Sequence, residues 1–451
     1  MAVKRCFILA ATMCAVMIVG CNSEKAETTT STDASNELVV LTPHNQGIQN
    51  AFELGFRSWY LHLYKKEIKV RWLVYGTPQC MKYVENCHKA SGELAPSFAP
   101  DVLFGGSMRD HLRLQKQGWT IPIELDARDD VPESVAGIPS VCPDNSCVAT
   151  GLSTFGMLVN AQACRERGIE PPSTWKDLAE PRFYGWLAIA DPGRSGTSRQ
   201  CFMLILQKYG WEEGWSLIMR ILGNARTLVA RSRVALSQVE SGESLVTFAI
   251  NFDAMARAEH SSYELTYVEP EGATQISPDG VSALATSRNK QGAAAFVNFL
   301  VSKRGQQILG LRADYLSLNA PTLFHYPISQ SIYDEESDRL AVGRNPLKTS
   351  AMMETDEKSS VQQEQLLPLL VSAACGRQHI ALQQLWAAVQ KQGNQGAARD
   401  ALFRLPMPED GLTSMAEGLK SAHIDEVDQM QAQLIAKMRE IYDSVGELVG
   451  G

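Results

Sequence analysis

Three short turns in the chain are rich in small hydroxyl residues or glycine, and each separates an apolar segment from a helix-like one. The turns lie at residues 42–46, 105–107 and 195–197. Backbone N–H groups at the start of a helix carry partial positive charge, and glycine lets a ligand approach them closely. Ordinary helix capping is the simpler interpretation of any single turn, but three such turns together favour an anion site. The candidate ligand contacts in these turns are Thr42, His44, Asn45, Gly106, Ser107, Ser195, Gly196 and Thr197.

Charged residues near these turns indicate what kind of ligand the turns would bind. Arg194 and Arg199 lie beside the third turn, and either guanidinium group suits a phosphate or a carboxylate. Asp101, Asp191 and Asp253 follow apolar segments and could hold a metal ion in an enzyme, although aspartate is also a common helix cap there. The sequence contains no G-x-S-x-G, H-E-x-x-H or P-loop motif. We therefore predict no catalytic residue, no metal site and no cofactor.

The elements that would position these residues alternate between strands and helices. Apolar segments at 37–41, 68–75 and 100–104 are separated by amphipathic segments, which predicts an α/β unit with mainly parallel strands. A second unit follows, with strands predicted at 152–159, 187–190 and 245–250 and a helix beginning at 171–178 with Ser173 or Thr174 as its N-cap. A strand at 281–285 and a helix at 292–309 return to the first pattern. Ligands bind at the carboxyl ends of strands in such sheets.

Composition limits the partners. The chain has 42 basic and 50 acidic side chains and a formal net charge of −8, which argues against binding to nucleic acid.

The first segment has Lys4 and Arg5, then apolar residues 7–19, then Gly20-Cys21 and a Ser/Thr-rich stretch. This order resembles a bacterial lipobox, which implies a signal peptide at 1–20, lipid on Cys21 and a tether at 21–36. An ordinary secretory signal is the alternative. We expect the mature protein outside the cytoplasm, anchored to a membrane by its lipid.

Cysteine spacing predicts disulfides rather than a zinc site, because paired C-x-x-C motifs are absent. The short-range candidates are Cys142 with Cys147 and Cys80 with Cys87, and the remaining pairing stays open.

Four segments carry a specific family resemblance. Residues 101–123, 171–198, 241–258 and 277–309 resemble the ferric-iron-binding type of bacterial extracellular solute-binding proteins. The resemblance implies an α/β type II periplasmic-binding-protein fold, in which two lobes joined by crossing strands close on a ligand in the cleft between them. It also implies an ABC transporter permease as partner, and we expect a monomer. The implied division is lobe 1 at 37–140 and again at 271–335, lobe 2 at 141–270, a linker at 336–360 and a helical C-terminal extension at 361–451.

The resemblance can be carried to single positions. His44 lies in the loop that holds a metal-ligating histidine in iron-binding members. Two adjacent tyrosines coordinate the ferric ion in those members. Here Asn251 and Phe252 occupy their positions and are followed by Asp253. We therefore expect a small organic anion, namely a phosphonate, sugar phosphate or carboxylate, held by the 195–197 turn, with Asn251, Phe252 and Asp279 as further candidate contacts.

Other interpretations remain open at this point. They are a ferric-iron-binding protein without the tyrosine pair, a ligand-sensing lipoprotein, and an extracytoplasmic hydrolase. The helical extension is predicted to cap one lobe, with a docking surface for a membrane partner as the alternative.

Overall fold

A computed structural model of the chain describes residues 36–90, 99–348, 357–393, 395–419 and 422–450. The predicted signal peptide, Cys21 and nearly all of the tether lie outside the described residues. Within these ranges, none of the helices combines the length and the apolar character that a membrane span requires.

The strands are short except for one. Their bounds are β1 Glu37–Thr42, β2 Lys69–Val74, β3 Val102–Ser107, β4 Ser134–Val135, β5 Ile138–Pro139, β6 Cys147–Asn160, β7 Leu187–Ala190, β8 Ala225–Val229, β9 Val246–Ile250, β10 Leu265–Val268, β11 Ile276–Ala283 and β12 Tyr326–Pro327.

Helices connect these strands and form the C-terminal part as far as the structure describes it. Their bounds are α1 Gln46–Tyr64, α2 Thr77–Lys89, α3 Met108–Lys116, α4 Ala161–Glu166, α5 Gly196–Asn224, α6 Ser232–Glu240, α7 Asn251–His260, α8 Lys290–Val301, α9 Lys303–Gly310, α10 Gln330–Glu335, α11 Glu357–Cys375, α12 His379–Lys391, α13 Ala397–Leu402, α14 Glu409–Leu419 and α15 Ile424–Gly450. The backbone of α5 breaks at Gly210, where φ is 77°.

Strand β6 connects the two halves of the fold. All of its 14 residues are buried. It pairs with β11 and β12 through Thr154, and with β9 and β10 from Phe155 onward. On the first side β1 is parallel to β2 and β3, and β11 is antiparallel to β3. On the second side β7 is parallel to β8 and β9. This arrangement is the predicted two-lobed α/β fold with crossing strands.

Each lobe has its own hydrophobic core. The core of the first lobe includes Leu38, Phe104 and Phe296. The core of the second lobe includes Trp175 and Phe248, and it continues into the C-terminal helices. Burial of these apolar side chains is the main stabilising contribution to both lobes.

The C-terminal extension packs on the second lobe as a cap. Leu370, Trp386 and Tyr442 belong to the same core as Trp175. The indole Nε1 of Trp386 donates a hydrogen bond of 2.7 Å to Oδ1 of Asn224, at the end of α5. The extension is therefore joined to this lobe by both apolar packing and a buried polar contact.

Two sequence predictions are corrected in the second lobe and its linker. The helix expected at 171–178 is only a 3-10 turn at Asp177–Ala179, and the Asp177 carboxylate accepts hydrogen bonds from the N–H groups of Ser173 and Thr174. Pro181 follows immediately and cannot donate the next helical hydrogen bond. Part of the predicted linker packs against the folded chain, because Leu340 is buried and Arg344 pairs with Glu269 at 2.8 Å.

One of the two predicted cysteine pairs is confirmed and the other is wrong. Cys142 and Cys147 form a disulfide, as expected. Cys80 and Cys87 are free and buried, so this candidate pair is wrong. Both lie on α2, where seven residues advance the chain by about 10 Å, which is beyond the reach of a disulfide.

Candidate functional site

A cavity of about 1130 Å³ lies between the lobes. The first lobe contributes the loops that follow β1, β2 and β3. The second lobe contributes the starts of α5 and α6, and the crossing strand β11 contributes Ser277 and Asp279. Helix α11 of the C-terminal extension forms a further part of the wall.

Six helices begin at this cavity. The N-cap residues that line it are Asn45 of α1, Gly76 of α2, Ser107 of α3, Ser195 of α5, Arg231 of α6 and Ile250 of α7. The positive ends of their dipoles converge on one space, which favours a negatively charged ligand.

The six N-termini differ in what their backbone N–H groups do. Asn45, Ser107 and Ser195 each accept a hydrogen bond from a first-turn N–H. The caps of α2, α6 and α7 make no such side-chain bond in the described structure. Gly76 is required at the start of α2, because a Cβ there would lie 2.5 Å from the carbonyl oxygen of Arg194. The N–H groups of these three helices are the natural donors to a bound anion.

The starts of α5 and α6 form one cradle. The hydroxyl oxygens of Ser195 and Ser232 lie 2.5 Å apart. Arg194 and Arg231 flank this pair and are exposed, and their guanidinium groups have no ion-pair or hydrogen-bond partner among the described residues. Arg199 is different, because its Nε donates to the Pro192 carbonyl at 3.1 Å and its Nη1 lies 3.6 Å from Glu364 Oε1. Arg194 and Arg231 therefore remain available to a ligand.

The opposite wall contains a neutral histidine. His44 is buried, and its burial lowers its pKa to about 4. Its ring packs on Phe104 and Phe252, at centroid distances of 4.5 and 6.1 Å. A neutral imidazole offers one donor and one acceptor rather than a charge.

Asp279 and His325 form a buried polar pair at the crossing strands. Burial raises the pKa of Asp279 to about 7, although Ser153 donates a hydrogen bond to its carboxylate. His325 Nδ1 lies 3.9 Å from Asp279 Oδ2, and neither ring nitrogen of His325 has a hydrogen-bond partner among the described residues. Its ring stacks on Phe252 at 4.0 Å, and burial lowers the pKa of His325 well below its usual value. No local pattern in the sequence indicates His325 as a site residue.

Contacts across the cleft bring the lobes together at one side. Asn45 Nδ2 donates a hydrogen bond of 2.6 Å to Asp253 Oδ1. A Cβ placed on Gly196 would lie 3.0 Å from Thr77 Oγ1, so the starts of α2 and α5 touch. The cavity is thus enclosed where these helices meet.

The structure brings most of the candidate contacts to one cavity. Those that line the cavity are His44, Asn45, Gly106, Ser107, Arg194, Ser195, Gly196, Thr197, Phe252 and Asp279. Thr42 and Asn251 are fully buried and do not line it. The Thr42 hydroxyl donates to the Phe104 carbonyl, and the Asn251 amide joins Thr154 N to the Phe324 carbonyl. Both side chains hold loops in place instead.

Sequence reasoning missed several wall residues, among them the turn at Gly76 after β2 and two further groups. The first is the run Arg231, Ser232 and Arg233, which follows β8 and obeys the same strand–turn–helix rule as the predicted turns. The second is the set from α11, namely Gln362, Glu364, Gln365 and Pro368. Only tertiary packing brings that helix to the cleft, so its spacing carries no local signal.

The wall does not present a metal-binding donor set. Among the described residues, no group of three or more His, Cys, Asp or Glu side chains is placed to hold an ion. At the position of the two tyrosines, the Asn251 side chain is hydrogen-bonded to the backbone and Phe252 offers only a ring face.

Comparison with known proteins connects this geometry to a family. The sequence model of a family described as bacterial extracellular solute-binding protein matches residues 99–332. The phosphoglycerate transport regulatory protein PgtC of Salmonella typhimurium is 33% identical over 165 residues, which cover 37% of this chain and 41% of that protein. The alignment thus spans well under half the length of this relative.

Solved structures support the fold. The periplasmic binding protein AfuA of Actinobacillus pleuropneumoniae, solved with exogenous fructose-6-phosphate bound, aligns with a TM-score of 0.56 and 19% identity over 72% of this chain and 89% of its own. Iron-bound HitA of Pseudomonas aeruginosa aligns with a TM-score of 0.54 and 15% identity over 73% of this chain and 98% of its own. At these identities the likeness concerns the fold.

Proposed function

The chain belongs to the bacterial extracellular solute-binding proteins, and from that premise we propose that it captures a small organic anion bearing a phosphate group. Members of such a family bind solutes, so the protein is a binding protein and not an enzyme. The observation that carries the proposal is the ring of six helix N-termini around one cavity, with Arg194 and Arg231 left unpaired beside it.

The chemistry of the wall favours a phosphate over a ferric ion. A phosphate monoester has three oxygens that accept hydrogen bonds, which match backbone N–H groups, serine hydroxyls and guanidinium groups. Ferric ion would need anionic oxygen ligands, and the two phenolates of the iron-binding members are replaced here by Asn251 and Phe252. The curated relative is named for phosphoglycerate transport, which agrees with a phosphorylated ligand.

Ligand capture would draw the lobes together around the anion. The hydrogen bond between Asn45 and Asp253 and the contact between Gly196 and Thr77 would stabilise the closed form. Because β6 changes partners between Thr154 and Phe155, rotation of the lobes would bend the chain there. The closed protein would then deliver its solute to the permease of an ABC importer, held near it by lipid on Cys21.

Isothermal titration of the protein that begins after the tether tests this function. The panel contains phosphate, phosphonates, sugar phosphates, simple carboxylates and ferric citrate. We expect heat of binding with phosphorylated compounds and a matching rise in melting temperature, because a ligand of the native state stabilises it by mass action. Binding of ferric citrate alone would contradict the proposal.

Arginine variants locate the site. Arg194→Ala and Arg231→Ala should each weaken the best phosphorylated ligand by about 10-fold to 100-fold, the range for a lost charge-assisted hydrogen bond. Arg439→Ala is the matched control, because Arg439 is exposed on α15 outside the cavity and also lacks a partner among the described residues. Unchanged affinity in both cleft variants would place the anion elsewhere.

Ligand sensing is a second candidate, favoured by one observation. The curated relative is named as a regulatory protein of transport. In cells lacking this protein, the permease genes can be expressed from an inducible promoter that ignores the solute. Loss of solute uptake under that condition supports transport, whereas normal uptake supports sensing.

A further inference from the structure

Helix α11 is part of the cavity wall although it belongs to the C-terminal extension. Gln362, Glu364, Gln365 and Pro368 line the cavity. The segment matched to the family ends at residue 332, so this wall is made by chain beyond the matched segment. The described structure therefore places a second source of ligand contacts beside the N-terminus of α5.

The position of α11 is fixed by its packing. Leu366, Leu367 and Leu370 are fully buried in the core of the second lobe. Pro368 contacts the turn before α5, because a Cβ on Gly193 would lie 3.7 Å from its Cβ. The polar residues on the cavity side of α11 are thus held on a rigid support.

Glu364 removes positive charge from this side of the cavity. Its carboxylate lies 3.6 Å from Arg199 Nη1. Burial raises the pKa of Glu364, and the nearby Asp110 of α3 adds to that shift while Arg113, Arg199 and Arg109 oppose it. The part of the wall that α11 forms is consequently a region of paired charges, whereas Arg194 and Arg231 in the α5 and α6 cradle are unpaired.

Gln365 offers hydrogen bonds that nothing in the described protein uses. Its Oε1 is buried without a hydrogen-bond partner among the described residues. Gln275, on the segment before β11, also lines the cavity with a buried and unpartnered Oε1. A buried amide oxygen without a partner is unfavourable, and a ligand that supplies a hydroxyl donor would satisfy it.

We propose that α11 sets the specificity of the cleft: Gln365 accepts a hydrogen bond from a hydroxyl group of the bound organic anion, and Glu364 disfavours a second anionic group at that end. This role rests on the proposed function of the cavity as an organic-anion site. The ligand class that fits has one anionic end at the α5 and α6 cradle and a hydroxylated chain that reaches α11.

Matched pairs of probes test this role. Sorbitol 6-phosphate and hexyl phosphate share a six-carbon chain and differ in their hydroxyl groups, and gluconate and hexanoate form the same comparison for carboxylates. Dissociation constants are measured by titration for the wild type and for Gln365→Leu, which keeps most of the side-chain volume. Ser372→Ala is the control, because Ser372 is exposed on the same helix and does not line the cavity.

We expect the wild type to prefer the hydroxylated member of a pair by about 10-fold or more, and Gln365→Leu to lose most of that preference through weaker binding of the hydroxylated member alone. Glu364→Gln should raise the affinity for sorbitol 1,6-bisphosphate relative to sorbitol 6-phosphate. Melting curves check that both variants remain folded, and Gln365→Leu should melt no lower than the wild type, because it removes an unpartnered buried oxygen.

The outcomes separate the two proposals. If the wild type binds one of the pairs and Gln365→Leu keeps the wild-type preference, the role of α11 is overturned while the cavity remains an anion site. If only the carboxylate pair binds, the phosphate part of the proposed function fails and the α11 role is decided by that pair. If the wild type binds neither pair, the proposed function fails and the α11 role falls with it.

Discussion

Replacing Asp279 by asparagine should make the protein more stable at alkaline pH. Asp279 is only 7% exposed, and burial raises its pKa from 3.8 to about 7. The folded state therefore binds a proton that the unfolded state has lost between these pH values. Asp279 therefore destabilises the folded state least below pH 3.8. The destabilisation grows as the pH rises to about 7 and is constant above that value.

The size of the effect follows from the shift in the pKa. At 1.36 kcal/mol for each pKa unit, ionised Asp279 lowers the free energy of unfolding by about 4 kcal/mol at pH 8, and by about 1 kcal/mol at pH 4.5. The first value is an upper limit, because local rearrangement relieves part of the cost. Asparagine keeps an oxygen at the Oδ2 position that can accept from Ser153, and it carries no charge to be buried. Asp279→Asn should therefore unfold at higher urea concentration at pH 8, and this gain should shrink by pH 4.5.

Asp101→Asn is the control with the opposite sign. The Asp101 carboxylate accepts hydrogen bonds from the N–H groups of Val39, Arg288 and Asn289 and from the Ser287 hydroxyl. An amide cannot accept all of these, so this variant should lose about 1–3 kcal/mol at both pH values. Urea unfolding followed by circular dichroism measures both. If Asp279→Asn is no more stable than the wild type at pH 8, burial does not penalise the Asp279 carboxylate and the reasoning fails.

Three further predictions concern packing, thiols and the cleft. Trp386→Ala should lower the free energy of unfolding by about 3–5 kcal/mol in urea melts, because its buried indole joins the extension to the second lobe; a loss below 1 kcal/mol would contradict the shared core. Cys80 should resist iodoacetamide until denaturant is added, since burial raises the pKa of its thiol to about 12, and mass spectrometry of native and unfolded samples checks this. Asn45→Ala should cost about 1 kcal/mol of stability through the lost N-cap, and should increase the radius of gyration in X-ray scattering because the bond to Asp253 is lost; an unchanged radius would refute the second effect.

Local signals explain which parts of the site the sequence could predict. The turns after β1, β3 and β7 join a buried strand to a helix within a few residues, so their chemistry is visible in short segments. The run at Arg231 has the same form, but its preceding strand β8 is only partly buried and its sequence, ARTLV, lacks a clear apolar pattern. The strand–turn–helix pattern applies there as well, but β8 cannot be recognised as a strand from its sequence alone.

Other features depend on tertiary structure and were not predictable from spacing. The segment at 171–178 has the capping residues of a helix, yet Pro181 and the packing of buried Trp175 against Phe248 leave it as a turn. His325 stacks on the wall residue Phe252 from a loop far along the chain, and α11 reaches the cleft from beyond the segment that resembles a known family. In both cases a long-range contact, not a local pattern, creates the site.

The core shared by the second lobe and the extension also determines the order in which the two lobes can complete their folding. The first lobe has all of its core side chains once Leu340 has been synthesised. The second lobe must wait for Met438 and Val445, because these residues of α15 complete a core that begins at Phe155. Such distant contacts form late, since the long intervening chain must be ordered first. Without α15, the half that carries Ser195 and Arg231 lacks part of its interior, so a premature stop in α15 would disrupt the anion cradle as well as remove that helix.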